Sequence, residues 1–172
     1  MTATDASQTA NEKTGWLAPM PAWAYGLAGL IPFVATGVAA WVVKPVWLDL
    51  TVMVQVTYAA VILSFLGAVH WGTAMTGRGA RGDPRAATTW KRLGLGVLPA
   101  LVGWAALLVL LKTTFPSIAL AILIVGFAGA WLGDRAAVRT GHVPFWYLVL
   151  RGVLTLVAIV AMAAVMAKTV DL

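Results

Sequence analysis

Five apolar runs, at about residues 22–43, 50–75, 94–111, 116–133 and 145–167, constrain this chain more than any other feature. An α-helix needs about 17–25 apolar residues to cross a hydrocarbon layer of about 30 Å, and each run meets that length. Inside lipid every backbone N–H and C=O must find its partner within the protein, so only helices and closed barrels can span. The runs do not alternate polar with apolar residues, which excludes barrel strands. An all-α integral membrane bundle of five transmembrane helices is therefore expected. Composition agrees: 61% of the residues are hydrophobic and 10% charged, against about half and about a quarter in a soluble domain.

The third and fourth runs are separated only by Lys112 to Phe115. Joined, they would make a stretch of about 40 residues, too long for one crossing, with Pro116 near its middle, so a tight hairpin is expected. The longest connection runs from Thr76 to Leu93. Gly77, Gly79 and Gly82 keep its first half irregular, and Asp83 followed by Pro84 is a good N-cap and first-turn pair. Helix 3 is expected to begin near Pro84 and enter the membrane past Trp90. The GRGARG in this loop lacks the spacing and the preceding strand of a phosphate-binding loop and reads as a plain basic connection. Residues 1–21 lack the basic segment and short apolar core of a signal peptide, and a flexible tail is expected there.

Charge sets the expected orientation. Lys13, Arg78, Arg81, Arg85, Lys91, Arg92, Arg135 and Arg139 fall on the face shared by the N-terminus, whereas Lys44, Lys112 and Lys168 fall on the other. Eight against three places the N-terminus inside and the C-terminus outside, in a bacterial inner membrane or, in a eukaryote, the mitochondrial inner membrane. Arg78, Arg81, Arg85, Lys91 and Arg92 are the expected contacts for anionic lipid headgroups. No aromatic platform beyond Trp90 accompanies them, so nucleic acid is not an expected partner. Most tryptophans fall near predicted interfaces, and Trp104, alone at mid-span, is expected to pack against lipid or a neighbouring helix. Gly129 with Gly133, Gly126 with Ala130, and Gly26 with Gly29 stand at spacings that let helices approach closely.

Ionisable residues within the spans are few, and each costs on the order of a few kcal/mol to place there, which makes each a candidate site. His70 lies near the end of helix 2 and Arg151 near the start of helix 5. At 1.5 Å per residue both sit about 8–9 Å below the same surface. On helix 5, Tyr147, Arg151 and Thr155 recur every four residues, within about 80° of one another, forming one polar edge. On helix 2, Gly67 removes a side chain one turn from His70, leaving room for a partner helix or a small ligand. Asp134, at the end of helix 4, is the nearby acid that can neutralise Arg151. Helices 2 and 5 are expected to touch, with His70, Trp71, Gly67, Tyr147, Arg151, Thr155 and Asp134 as the candidate ligand or partner site. The competing structural reading has Arg151 reaching for headgroups or pairing with Asp134 to fix packing.

Catalytic chemistry finds little support. The chain has no cysteine, hence no thiolate nucleophile and no Cys-ligated metal. Ser64 and His70 are about 120° apart around one helix and cannot act as nucleophile and base. His142 lies in the loop before helix 5, so no pair of intramembrane histidines can clamp a haem. Single-His haem ligation by His70 is conceivable and not favoured. No cofactor or metal is expected, and the protein is expected not to be an enzyme.

The segment ILSFLGAVHWG, residues 62–72, resembles a family of small bacterial inner-membrane proteins that carries a domain of unknown function, number three-four-two-nine. That family also contains a mitochondrial transmembrane protein. PFWYLVLRGVLT, residues 144–155, resembles the family's second block, with Pro144, Tyr147, Leu150, Arg151 and Thr155 in place, and Pro99 and Trp104 resemble a third. The likeness spans about residues 20–165 and implies a five-helix membrane protein with no catalytic assignment. WVVKPVW is also similar to an element of the tryptophan-rich sensory proteins that bind porphyrins and sterols, although the later elements of that family are absent. Two functions are expected from these readings. The first is a non-enzymatic accessory or assembly factor for a larger membrane complex. The alternative is a binding protein or carrier for a tetrapyrrole, quinone or lipid held between helices 2 and 5.

Overall fold

A computed structural model describes residues 20–75, 90–139 and 145–170 of the chain. Five helices carry all of the spans: α1 (Met20–Val42), α2 (Leu48–Met75), α3 (Trp90–Lys112), α4 (Pro116–Arg139) and α5 (Phe145–Val170), each long and apolar enough to cross a membrane. A single 3₁₀ turn, Pro45–Trp47, links α1 to α2 and is closed by Trp47 N–H donating to the Lys44 carbonyl at 2.9 Å. The hairpin between α3 and α4 is as short as expected, residues 113–115. The N-terminal tail and the start proposed for helix 3 at Pro84 lie outside the described residues, as do Arg78, Arg81, Arg85 and the side chains of Lys91 and Arg92.

The helices form a ring in chain order, α1 to α2 to α3 to α4 to α5 and back to α1, and α2 and α4 also meet across it. The closest neighbours are α2 and α3, which approach through small residues. A Cβ on Gly67 would overlap the Gly96 carbonyl oxygen, and one on Gly103 would meet the Ala60 carbonyl oxygen at 2.9 Å. Lipid tails are as apolar as leucine, so such close backbone packing, and not burial of grease, holds membrane helices together. At α1 and α5 the same device recurs, with Gly37 set against Ala161. Phe33, Leu63, Leu120, Leu123, Phe127 and Met162 fill the middle, with Phe33 edge-on to both Tyr58 and Phe127. The outer surface stays apolar, and Trp104, 60% exposed, faces lipid as expected.

One polar contact inside the core was not foreseen from the sequence. Gln55 of α2 is fully buried and its amide meets the Thr36 hydroxyl of α1, which also lies 2.7 Å from the Pro32 carbonyl. One turn along, the Tyr58 hydroxyl donates to the Gly29 carbonyl at 2.9 Å. These two links tie α1 to α2.

Candidate functional site

Asp134 organises the second polar cluster. It is 1% exposed, on a helix that runs on to Arg139 where the hydrophobic pattern ends at about residue 133. Those extra residues place it inside α4 and not at its tip. Its Oδ2 accepts a hydrogen bond from Arg151 Nε of α5 at 2.9 Å, and its Oδ1 lies 3.3 Å from His70 Nε2 of α2. Arg151 is 5% and His70 6% exposed, so three ionisable groups from three helices share one enclosed locus. An arginine here neither reaches for headgroups nor faces lipid.

The matched depth of His70 and Arg151 thus corresponds to a real meeting point, at which a residue of α4 joins the two. Helix α4 stands between α2 and α5 and presents Asp134 to both. Depth can be read from distance along each helix; the order of helices around the ring cannot. The carboxylate lies between the two side chains.

The remaining candidates divide. Thr155 is buried on the same edge of α5, and neither its hydroxyl nor Arg151 Nη2 has a hydrogen-bond partner at normal geometry; the enclosed Tyr147 hydroxyl lies beside Arg151 and Asp134. The polar edge read from the four-residue spacing is therefore real and turned inward. Trp71 and Gly67 belong elsewhere. The Trp71 indole lies against Gly96 of α3 and is 41% exposed, and the space left by Gly67 is taken by the α3 backbone. Both serve the α2–α3 seam. Ser64 donates to its own helix at the Ala60 carbonyl, 2.8 Å away. Sequence reasoning missed Trp131, whose enclosed indole N–H is also unpartnered and lies close to Gly152 of α5.

A groove of about 610 Å³ opens beside this cluster, between α3 and α4 with α2 as its floor. Its α4 wall runs from Ile118 to Asp134, about 24 Å along the helix at 1.5 Å per residue. Small residues hollow it: Ala121, Gly129, Ala130 and Gly133 line it, while Gly126, also on its wall, packs against Leu63 and Val102, where a Cβ would stand 2.7 and 2.8 Å away. A Cβ on Gly129 would meet nothing within 4 Å, so Gly129 does not serve close helix packing within this chain, whereas one on Gly133 would touch the Leu95 side chain at 3.7 Å and His70 Nε2 at 4.0 Å. Both glycines wall the groove. His70 and Asp134 close one end, and every other lining residue is apolar or glycine. No group of three or more metal-ligating side chains occurs among the described residues.

Fold and site define a multi-pass helical membrane protein with a buried ionic cluster beside an apolar groove. The chain belongs to the family described as Protein of unknown function (DUF3429), whose model matches residues 18–167. It is similar to Transmembrane protein 69 of Xenopus tropicalis, 38% identical over 142 residues that cover 83% of this chain and 52% of that protein. It is also similar to Transmembrane protein 69 of Mus musculus, 32% identical over 143 residues, 83% of this chain and 54% of that protein. The chain spans about half the length of these curated relatives. No solved structure matches it.

Proposed function

We propose that the protein is a non-enzymatic intramembrane binding protein for a hydrophobic molecule with a polar head, seated in the α3–α4 groove. One observation carries this reading: an apolar groove of about 610 Å³ that ends on the buried His70–Asp134 pair. Sites for small ligands are concave, of about 300–1,000 Å³, mostly apolar, with a few placed polar groups. The ligand seat thereby moves from between helices 2 and 5, where α4 intervenes, to the far side of α4. The basic asymmetry supports an N-terminus inside and a bacterial inner membrane, or the mitochondrial inner membrane in a eukaryote. In that orientation the polar end of the groove faces the cytosolic or matrix leaflet, and the basic loop after α2 meets anionic headgroups there.

The test is extraction of the purified protein with organic solvent and mass spectrometry of what is released, for the native chain and for Gly129→Leu, which fills the groove from a position with free space around it. The native chain should release a specific hydrophobe at near-stoichiometric amount, and the folded variant should not. Equal release from both would mean bulk lipid only and would remove the proposal. The accessory-factor reading draws on the same open position at Gly129, which also suits a partner's helix. It gains if Gly129→Leu loses a co-purifying membrane protein and no small molecule.

A further inference from the structure

We infer that the head group taken by this groove is an uncharged hydroxyl, an alcohol or phenol on an apolar body, bound as a hydrogen-bond donor to Asp134. This rests on the groove being a ligand site and names the chemistry of its polar end. The inference begins with what faces the groove. An ionised carboxylate offers about four lone-pair positions; Asp134 uses one toward Arg151 Nε and one toward His70 Nε2, so acceptor capacity remains. A second acceptor follows from the sequence. Pro99 has no N–H, so the carbonyl four residues earlier, on Leu95, lacks its helical donor. Leu95 and Pro99 both line the groove, and the Leu95 side chain lies beside Gly133.

The donors lie on the other side. Arg151 Nη2 and the Thr155 hydroxyl are enclosed and unpartnered, with the Tyr147 hydroxyl beside Arg151, but no residue of α5 lines the groove. Asp134 thus stands between the groove, to which it offers a carboxylate acceptor, and an α5 face that carries donors. A carbonyl or carboxylate head in the groove would meet acceptors. A cationic head would meet a carboxylate already paired with Arg151, so it would lose its hydration without gaining a free counter-charge. A neutral hydroxyl gains a charge-assisted hydrogen bond at a small desolvation cost.

The experiment uses the full-length chain in detergent micelles and three probes with one tail: hexadecanol, hexadecyl methyl ether and hexadecanoate. Binding is read by native mass spectrometry over a concentration series. Hexadecanol should bind about tenfold more tightly than the ether, the size expected for one hydrogen bond to a charged acceptor, and more tightly than hexadecanoate. Gly133→Val places a side chain over His70 at the head end, where an added Cβ would stand 4.0 Å from Nε2. In that variant hexadecanol should fall to the level of the ether while the ether is unchanged; Gly133→Ala is the milder version should Val disturb folding. Gly129→Leu should abolish all three. If alcohol and ether bind alike and both are lost in Gly129→Leu, the groove reading stands and the hydroxyl inference is overturned. Preference for hexadecanoate overturns it equally. Failure of the native chain to bind any probe overturns the inference, while the groove reading is then judged by its own extraction result.

Discussion

Gln55 and Asp134 are both enclosed polar residues on apolar helices, and the surroundings of each differ in ways that bear on function. Gln55 meets one partner, Thr36, across the α1–α2 contact, with no charge involved. Asp134 joins α2, α4 and α5, carries a charge, leaves donors unpartnered around it and opens on a groove. The first arrangement joins two neighbouring helices through the Gln55 Oε1 and leaves its Nε2 without a hydrogen-bond partner. The second commits ionisable groups from three helices to the interior and borders an open groove, which pairing of two helices does not require. What separates the two is therefore charge and an adjoining groove: the Gln55 contact pairs two helices, and the Asp134 cluster borders a space that can take an occupant.

The largest expected effect comes from breaking the charged cluster on one side. Asp134→Ala leaves Arg151 buried without its counter-ion, and loss of one partner of a buried pair costs about 3–5 kcal/mol. Equilibrium unfolding in mixed micelles should show that loss, and Arg151→Leu added to Asp134→Ala should restore most of it. If the single variant is as stable as the native chain, the cluster is not an ion pair of consequence and the contrast with Gln55 disappears.

Next in size is the glycine contrast. Gly67→Ala drives a methyl group into the Gly96 carbonyl, where backbone must yield, so α2 and α3 must separate. Overpacking of this kind costs about 1–3 kcal/mol. Gly129→Ala enters open space and should change stability by less than about 0.5 kcal/mol, as substitutions away from packed features do. Equal losses at both sites would show that the groove is closed in the membrane.

These pairs also mark what could be read in the sequence. Span lengths gave all five helices within a few residues, because hydrocarbon thickness fixes length from composition alone. The exception, α4, runs past residue 133 to Arg139, since its last turns are too polar to register as apolar. The Tyr147, Arg151 and Thr155 edge was legible from helical period, and His70 from its depth. What remained illegible was angular: which helix stands beside which depends on side-chain fit around the ring. The Gly126 to Gly133 segment shows the limit well. A glycine that admits a neighbouring helix and one that leaves a groove have the same spacing, and Gly67 and Gly129 differ only in what lies opposite. Gln55 escaped notice because an uncharged amide gives no charge signal within an apolar run.

The smallest effect belongs to the neutral link between α1 and α2. Thr36→Val keeps the shape of the side chain and removes the hydroxyl that meets the Gln55 amide, leaving that amide fully enclosed. Interhelical hydrogen bonds in bilayers average about 0.6 kcal/mol, because the separated helices also find partners for their polar groups. Thr36→Val should therefore cost about that much, and Gln55→Leu should cost little more. The double variant, with no amide left to satisfy, should lose less than the two single changes added together, and that coupling is the quantity to measure by mixed-micelle unfolding. Probe binding in the groove should be unchanged in all three, since neither residue lines it. If Thr36→Val instead weakened hexadecanol binding several-fold, the two polar clusters would be coupled through α2, the helix they share. The division between a structural contact and a binding centre would then have to give way to one connected network.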